Sequence, residues 1–222
     1  MSGQVPKGKQ RASQAKIEDV AEFYQTIDRR NLIHKISPVR PYVYTTMEVY
    51  DQANGIRGAG GLGVLAADTR RVAEDLEIPF VTLTPFYQTE RHQRLEKLEP
   101  HDDYVSRSPE AEGFQAIGQV VLHIKDKPDA TLDIYQKQLG SSRFLCMTEP
   151  NFGPLYCDTP SSDHRLYQMT SLGFGGYAAL KMADLKPAVI QLNETATVFA
   201  AGLLKGIRQA AALRFRCCSS PG

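Results

Sequence analysis

The sequence predicts an α/β protein: a mostly parallel sheet with helices on both faces. Three observations predict it. Apolar runs such as IPFVTLT (78–84) and AVIQLN (188–193) are continuous, as in strands buried on both faces. Segments with helical apolar spacing alternate with these runs, the pattern of strand–helix–strand units. Between one strand and one helix lies a glycine-rich turn, GAGGLG (58–63).

Each element follows in turn. The first residues, MSGQVPKGKQRASQAK, form a flexible basic tail without the apolar core of a signal peptide. EDVAEFYQTIDRRNLI (18–33) has the spacing of an amphipathic helix. Pro38 and Pro41 bracket a connection to YVYTTMEV (42–49), whose aromatic and β-branched residues predict a strand. After the glycines, a helix from about 62 to 76 carries Leu62, Leu65, Ala66, Val72, Ala73 and Leu76 on one side. The strand 78–84 comes next. Residues 85–113 are polar and charged and read as a mobile excursion.

FQAIGQVVLHIK (114–125) and TLDIYQ (131–136) read as paired strands around a turn at 126–129, and RFLCMTE (143–149) as a further strand. A Pro/Gly/Asp-rich loop leads to a helix over 164–184, the strand 188–193 and a helix over 195–212. The closing RFRCCSSPG fits no element. The expected organisation is a tail and helix over 1–38, one α/β domain over 39–212 and an irregular end over 213–222.

Composition narrows the function. The chain has 222 residues and a formal net charge of +1, so no overall field recruits nucleic acid or an anionic membrane. No apolar run approaches the roughly 18 residues of a membrane span. The four cysteines form no disulfide framework, and free thiols in a reducing cytoplasm are expected. The five histidines have no zinc-ligand spacing, so no metal site is expected.

A bare loop before a helix suits an anion, because backbone N–H groups approach it and the helix end adds attraction. The spacing Gly58, Gly60, Gly63 also matches a dinucleotide loop. That reading needs an acidic residue at the end of the following strand, and IPFVTLTPFY has none there. A purely structural turn is the third reading.

The wider context adds to this. YTTMEVYDQANGIRGAGGLGVLAAD (44–68) resembles the α-glucan (glycogen and starch) phosphorylases, whose members carry a Y-x-S-M/L-E-F strand end. In their short forms a GGLGVLAGD loop follows at the interval that separates Glu48 from Gly60 here. RRVAEDLEIPFVTLTPFYQ continues the likeness. A second block, RLYQMTSLGFGGYAALKMADLKPAVIQLNETATVFAAGLLKGI (165–207), is similar to the family's helix and its H/Q-L-N-E/D-x-H motif. The resemblance spans roughly 40 to 207, with a diverged middle.

The resemblance implies a GT-B fold, with this chain as its Rossmann-like N-terminal domain. It implies phosphorolysis of an α-1,4-glucan to glucose 1-phosphate, with α-glucan and inorganic phosphate as ligands. By position, Gly60, Gly61, Leu62 and Gly63 would face phosphate and glucose. Asn193 and Glu194 would lie beside the glucosyl site, and Tyr44 and Glu48 near the cofactor pocket. Pyridoxal phosphate is the family's cofactor. Its lysine belongs to a C-terminal domain that this sequence does not contain, so a chain carrying that domain is the implied partner.

Two positions depart from the pattern: Ala196 stands where the motif has histidine, and Gln52 where the short forms have histidine. They leave open a non-catalytic descendant that binds glucan or a partner. A synthase-like K-x-G-G-L-G-D loop fits less well, since Gly58 and Val64 occupy its lysine and aspartate positions.

Overall fold

The computed structural model describes residues 35–56, 58, 60–123, 128–155, 162–200 and 214–216. The chain divides into two compact units, Met1–Lys35 and Ile36–Gly222, and of the first only Lys35 is described. The expected helix at 18–33 and most of that at 195–212 lie outside the described residues.

The second unit is organised by one sheet. Its parallel core consists of β8 (Val189–Leu192), β1 (Tyr42–Thr45), β2 (Phe80–Pro85) and β7 (Ser142–Thr148), in that spatial order. Tyr42 lies opposite Phe80 on one side and Val189 on the other. Beyond β7 the sheet turns antiparallel through β6 (Ala130–Leu139) and β5 (Gln115–Leu122), the pair expected from sequence. Arg214–Arg216, inside the segment expected to be irregular, forms a short β9 on the outer edge of β5.

Strand alternation sorts the core into two layers. Val43, Val81, Leu83, Leu145 and Met147 point to one face and pack with Leu172, Ala178 and Ala179 of α2 (Ser162–Met182). Tyr44, Phe80, Phe144 and Cys146 point to the other and pack with Ala66, Ala67 and Ala73 of α1 (Gly61–Asp75). The two helices therefore cover opposite faces. Helix α2 lies close because Gly175 and Gly176 have no side chain: a Cβ there would come within 2.8 Å of Leu132 and 2.7 Å of Leu83.

Three expectations change. Helix α1 does not turn its large apolar side chains inward. It buries Gly63, Ala66, Ala67, Arg70 and Ala73, and leaves Leu65, Val72 and Leu76 exposed. Strand β1 stops at Thr45 rather than 49: the Thr46 N–H still donates to the Leu83 carbonyl at 3.0 Å, but its hydroxyl already bonds into the turn at the Glu48 carbonyl. The segment 85–113 is not without regular structure. Thr89–Glu96 (β3) and Glu99–Ser106 (β4) form a separate antiparallel hairpin, and residues after it pack through Phe114 into the core.

The hairpin turn places Lys97 and Leu98 at φ 52° and 70°, both left-handed, without the Asn-Gly signal that usually marks such a turn. Ion pairs across its strands, Arg91–Asp102 at 2.9 Å and Arg94–Asp103 at 2.8 Å, hold the polar ladder together. No described helix is long and apolar enough to cross a membrane.

Candidate functional site

Strands β1, β2 and β8 run parallel, so their carboxyl ends share one edge, where ligands of open α/β sheets gather. The chain leaves β1 at this edge, makes a short 3-10 turn at Gln52–Asn54, and returns through the glycines into α1. The excursion is bolted down by Asp51, which is fully buried. Its carboxylate accepts from Arg70 and Arg71, both at 2.9 Å, and from the Asn54 side chain at 2.9 Å. Lys137 Nζ donates to the Asn54 carbonyl at 3.0 Å from the far side.

The glycines serve different ends. A Cβ on Gly58 would sit 2.1 Å from the Val49 carbonyl, so this backbone approach excludes any side chain. Gly60, the residue before α1, has φ 84° and faces the Glu48 carboxylate, 2.9 Å from where its Cβ would be. Gly61 opens onto free space. Gly60, at the N-cap of α1, has no side chain to cap it, and the first turn carries no acidic residue of its own. Gly63 is buried; its carbonyl accepts from Tyr50 N at 3.0 Å, and Leu62 is half-buried.

Asn193 arrives at the same edge from β8. Its N–H donates to the Thr45 carbonyl at 2.9 Å, and its side-chain amide donates to the Thr46 hydroxyl at 3.3 Å. That hydroxyl donates in turn to the Glu48 carbonyl at 3.0 Å. Asn193, Thr46, Glu48 and Gly60 thus form a continuous row. Glu194 follows at φ 73°, a left-handed backbone that a glutamate seldom adopts. Strain of this kind gathers at ligand sites.

Tyr44 takes a different place. It is 1% exposed, with its ring stacked on Phe80 at 6.0 Å. Burial pushes its hydroxyl pKa upward, with smaller upward contributions from Tyr42 and Glu194 and an opposing bond to Thr69. It belongs to the core.

The structure adds residues that the sequence did not single out. Beside Glu48 and Gly58 a small cavity of about 50 Å³ is walled by Thr84, Glu90, Arg91 and Arg107. Arg107 is clamped by Glu112 at 2.7 and 2.9 Å and lies 4.7 Å over the Phe86 ring. Its charge is spent inside the protein. Cys146 also lines this cavity, and desolvation by burial pushes its thiol upward, out of reach of thiolate chemistry. The arginines come from the hairpin and its base, a segment whose polarity in sequence concealed that it folds back over the sheet edge.

No lysine is among the residues that wall this cavity. Among the described residues no cluster of ligands suits a metal ion.

No protein-family profile matches the chain. In sequence, maltodextrin phosphorylase of Thermococcus litoralis is 27% identical over 193 residues, covering 72% of this chain and 21% of that protein. Among solved structures, the catalytic domain of starch synthase IV from Arabidopsis thaliana bound to ADP and acarbose aligns with a TM-score of 0.49 and 14% identity. That alignment covers 76% of this chain and 30% of the synthase domain. The chain spans less than a third of the length of either, and its similarity in sequence is to a glucan phosphorylase, at a distance.

Proposed function

We propose that this chain is the Rossmann-like N-terminal portion of a GT-B glycosyltransferase of the α-glucan phosphorylase type. It holds the glucan end and inorganic phosphate at the carboxyl edge of the sheet. The observation that carries the reading is the row Asn193–Thr46–Glu48–Gly60, in which two blocks far apart in sequence meet at one ligand edge. The distant similarity to maltodextrin phosphorylase supports the same reading.

The chain's own part is binding and orientation. Amides at the start of α1 stabilise an anion, and fixed donors beside it need no reorganisation when charge develops. The Asn193 and Glu194 side chains supply polar groups for sugar hydroxyls. Pyridoxal phosphate, the acid–base group of the full enzyme type, would come with a second domain or chain. A non-catalytic glucan-binding protein is the second reading, favoured by Ala196, which is buried and carries no polar group toward the sugar.

Titration calorimetry with maltopentaose tests the site. Gly61→Val adds bulk where free space lies, so the fold survives and affinity drops by about tenfold or more. Absence of binding by the parent chain, or equal affinity in the variant, contradicts the proposal.

A further inference from the structure

The groove beyond the end of β7 differs in chemistry from the glycine-loop edge. Strand β7 runs parallel to β2, so Glu149, which follows it, lies at the same carboxyl edge, two strands along from β1. A cavity of about 790 Å³ opens there, between the turn before β6, the Pro150–Phe152 turn and the first turns of α2. Cavities of roughly 300–1,000 Å³ hold small molecules. Among the described residues its wall carries three carboxylates, Asp129, Glu149 and Asp163, and no lysine or arginine. The wall's histidine, His164, has Nε2 committed to the Phe152 carbonyl at 2.7 Å.

Two of the carboxylates have local reasons. Asp129 meets His123 at 2.8 Å, and Asp163 sits in the first turn of α2, where the helix dipole favours it. Glu149 has no such match for its charge. It is 3% exposed, and its Oε2 accepts from the backbone and side-chain N–H groups of Asn151 at 3.0 and 3.2 Å. Its Oε1 is buried with no hydrogen-bond partner. Burial, and after it the Glu149 carboxylate, raise the Tyr167 hydroxyl, which stands nearby without meeting the geometry of a hydrogen bond to Oε1. A buried acceptor left unmet is rare, and costs most when it is charged.

We propose that this cavity binds a linear aliphatic polyamine, with one ammonium against the Glu149 wall and the methylenes along Leu166, Pro150 and the Tyr167 ring. Oε1 lies under the surface, so its charge acts across the wall, where it is screened less than in water. Asn151 gives its amide N–H to Glu149, which leaves its own Oδ1 on the wall as a direct acceptor for the ammonium. Leu166, 48% exposed, supplies apolar surface for the chain between charges. Asp129 and Asp163 take the further ammonium groups. The ligand is thus opposite in sign to the anion proposed at the glycine loop, and the inference does not depend on the glucan site.

Isothermal titration of the full chain with spermidine tests it, with 1,6-hexanediol as the uncharged control. Spermidine should bind, several-fold more weakly when salt rises from about 20 to 300 mM, and the diol should not. Glu149→Gln keeps the shape and an acceptor for Asn151, and should weaken spermidine binding by about tenfold or more. Leu166→Lys, at an exposed position, puts a cation into the cavity and should abolish binding with an unchanged circular dichroism spectrum. Gly61→Val should bind spermidine as the parent does, and maltopentaose should not displace it. Absence of binding at millimolar spermidine, unchanged affinity in either folded variant of the cavity, an equal response to the diol, or displacement by maltopentaose overturns the proposal.

Discussion

Asp51 and Arg70 form a buried ion pair, 2.9 Å apart, with 0% and 3% of their side chains exposed. The pair joins the excursion before the glycine loop to the helix after it, and so fixes the loop between them. Removing Arg70 leaves Asp51 with the half-exposed Arg71 and the Asn54 amide as its remaining partners. Arg70→Met should therefore cost about 3 kcal/mol of stability at neutral pH, the lower end for breaking a buried pair.

The pair also sets an acid dependence. Burial raises the Asp51 pKa, but bonds from Asn54, Arg71 and Arg70 outweigh it and hold the carboxyl below its ordinary value. A carboxylate depressed in the folded state stabilises above its unfolded pKa and loses that contribution as pH falls through the folded one. The gap between parent and Arg70→Met should narrow as pH drops from neutral into the acid range. Chemical denaturation at a series of pH values checks this, and a constant gap contradicts it.

The glycines should separate by function. Gly58→Ala drives a Cβ into the Val49 carbonyl and should unfold or severely destabilise the chain. Gly61→Ala meets nothing and should melt within about 0.5 kcal/mol of the parent. Thermal melts of the two variants decide the point.

Glu194 carries left-handed backbone strain at the ligand edge. Glu194→Gly should raise stability by about 1 kcal/mol through relief of that strain, and should weaken maltopentaose binding. Stability and affinity changing in the same direction would separate the strain from the site.

Among the described residues the β3–β4 hairpin pairs with no other strand, and every position of β4 is exposed. An isolated hairpin is marginal in water. Amide hydrogens of residues 89–106 should exchange orders of magnitude faster than those of β1, β2 and β7. Exchange as slow as that of the central sheet would show that something covers the hairpin.

Much of the parallel core was legible in the sequence. The run at 78–84 reads as a strand covered on both faces, and FVTLTP is buried at all six positions, whereas VIQL of β8, read the same way, is half-buried with Gln191 exposed. The glycine loop and the Asn193 block stood out in the sequence through their resemblance to a family pattern, and the fold brings them to one edge. The inward face of α1 was not legible. Leucine and alanine share helical spacing, and only the close approach of helix to sheet decides that alanines go in. The hairpin was missed because its turn is Lys97-Leu98 and its strands are polar on both faces, leaving no alternation to read. The ion pair at Asp51 was equally hidden, since nothing local distinguishes Arg70, which is buried, from Arg71, which is half out.

The most direct test of the central claim is hydrogen exchange measured with and without maltopentaose in phosphate buffer. Protection is expected in two segments together, 60–66 at the start of α1 and 192–197 after β8, and to be lost in Gly61→Val. Protection elsewhere on the molecule, or in neither segment at saturating sugar, would contradict a glucan site at the carboxyl edge of this sheet.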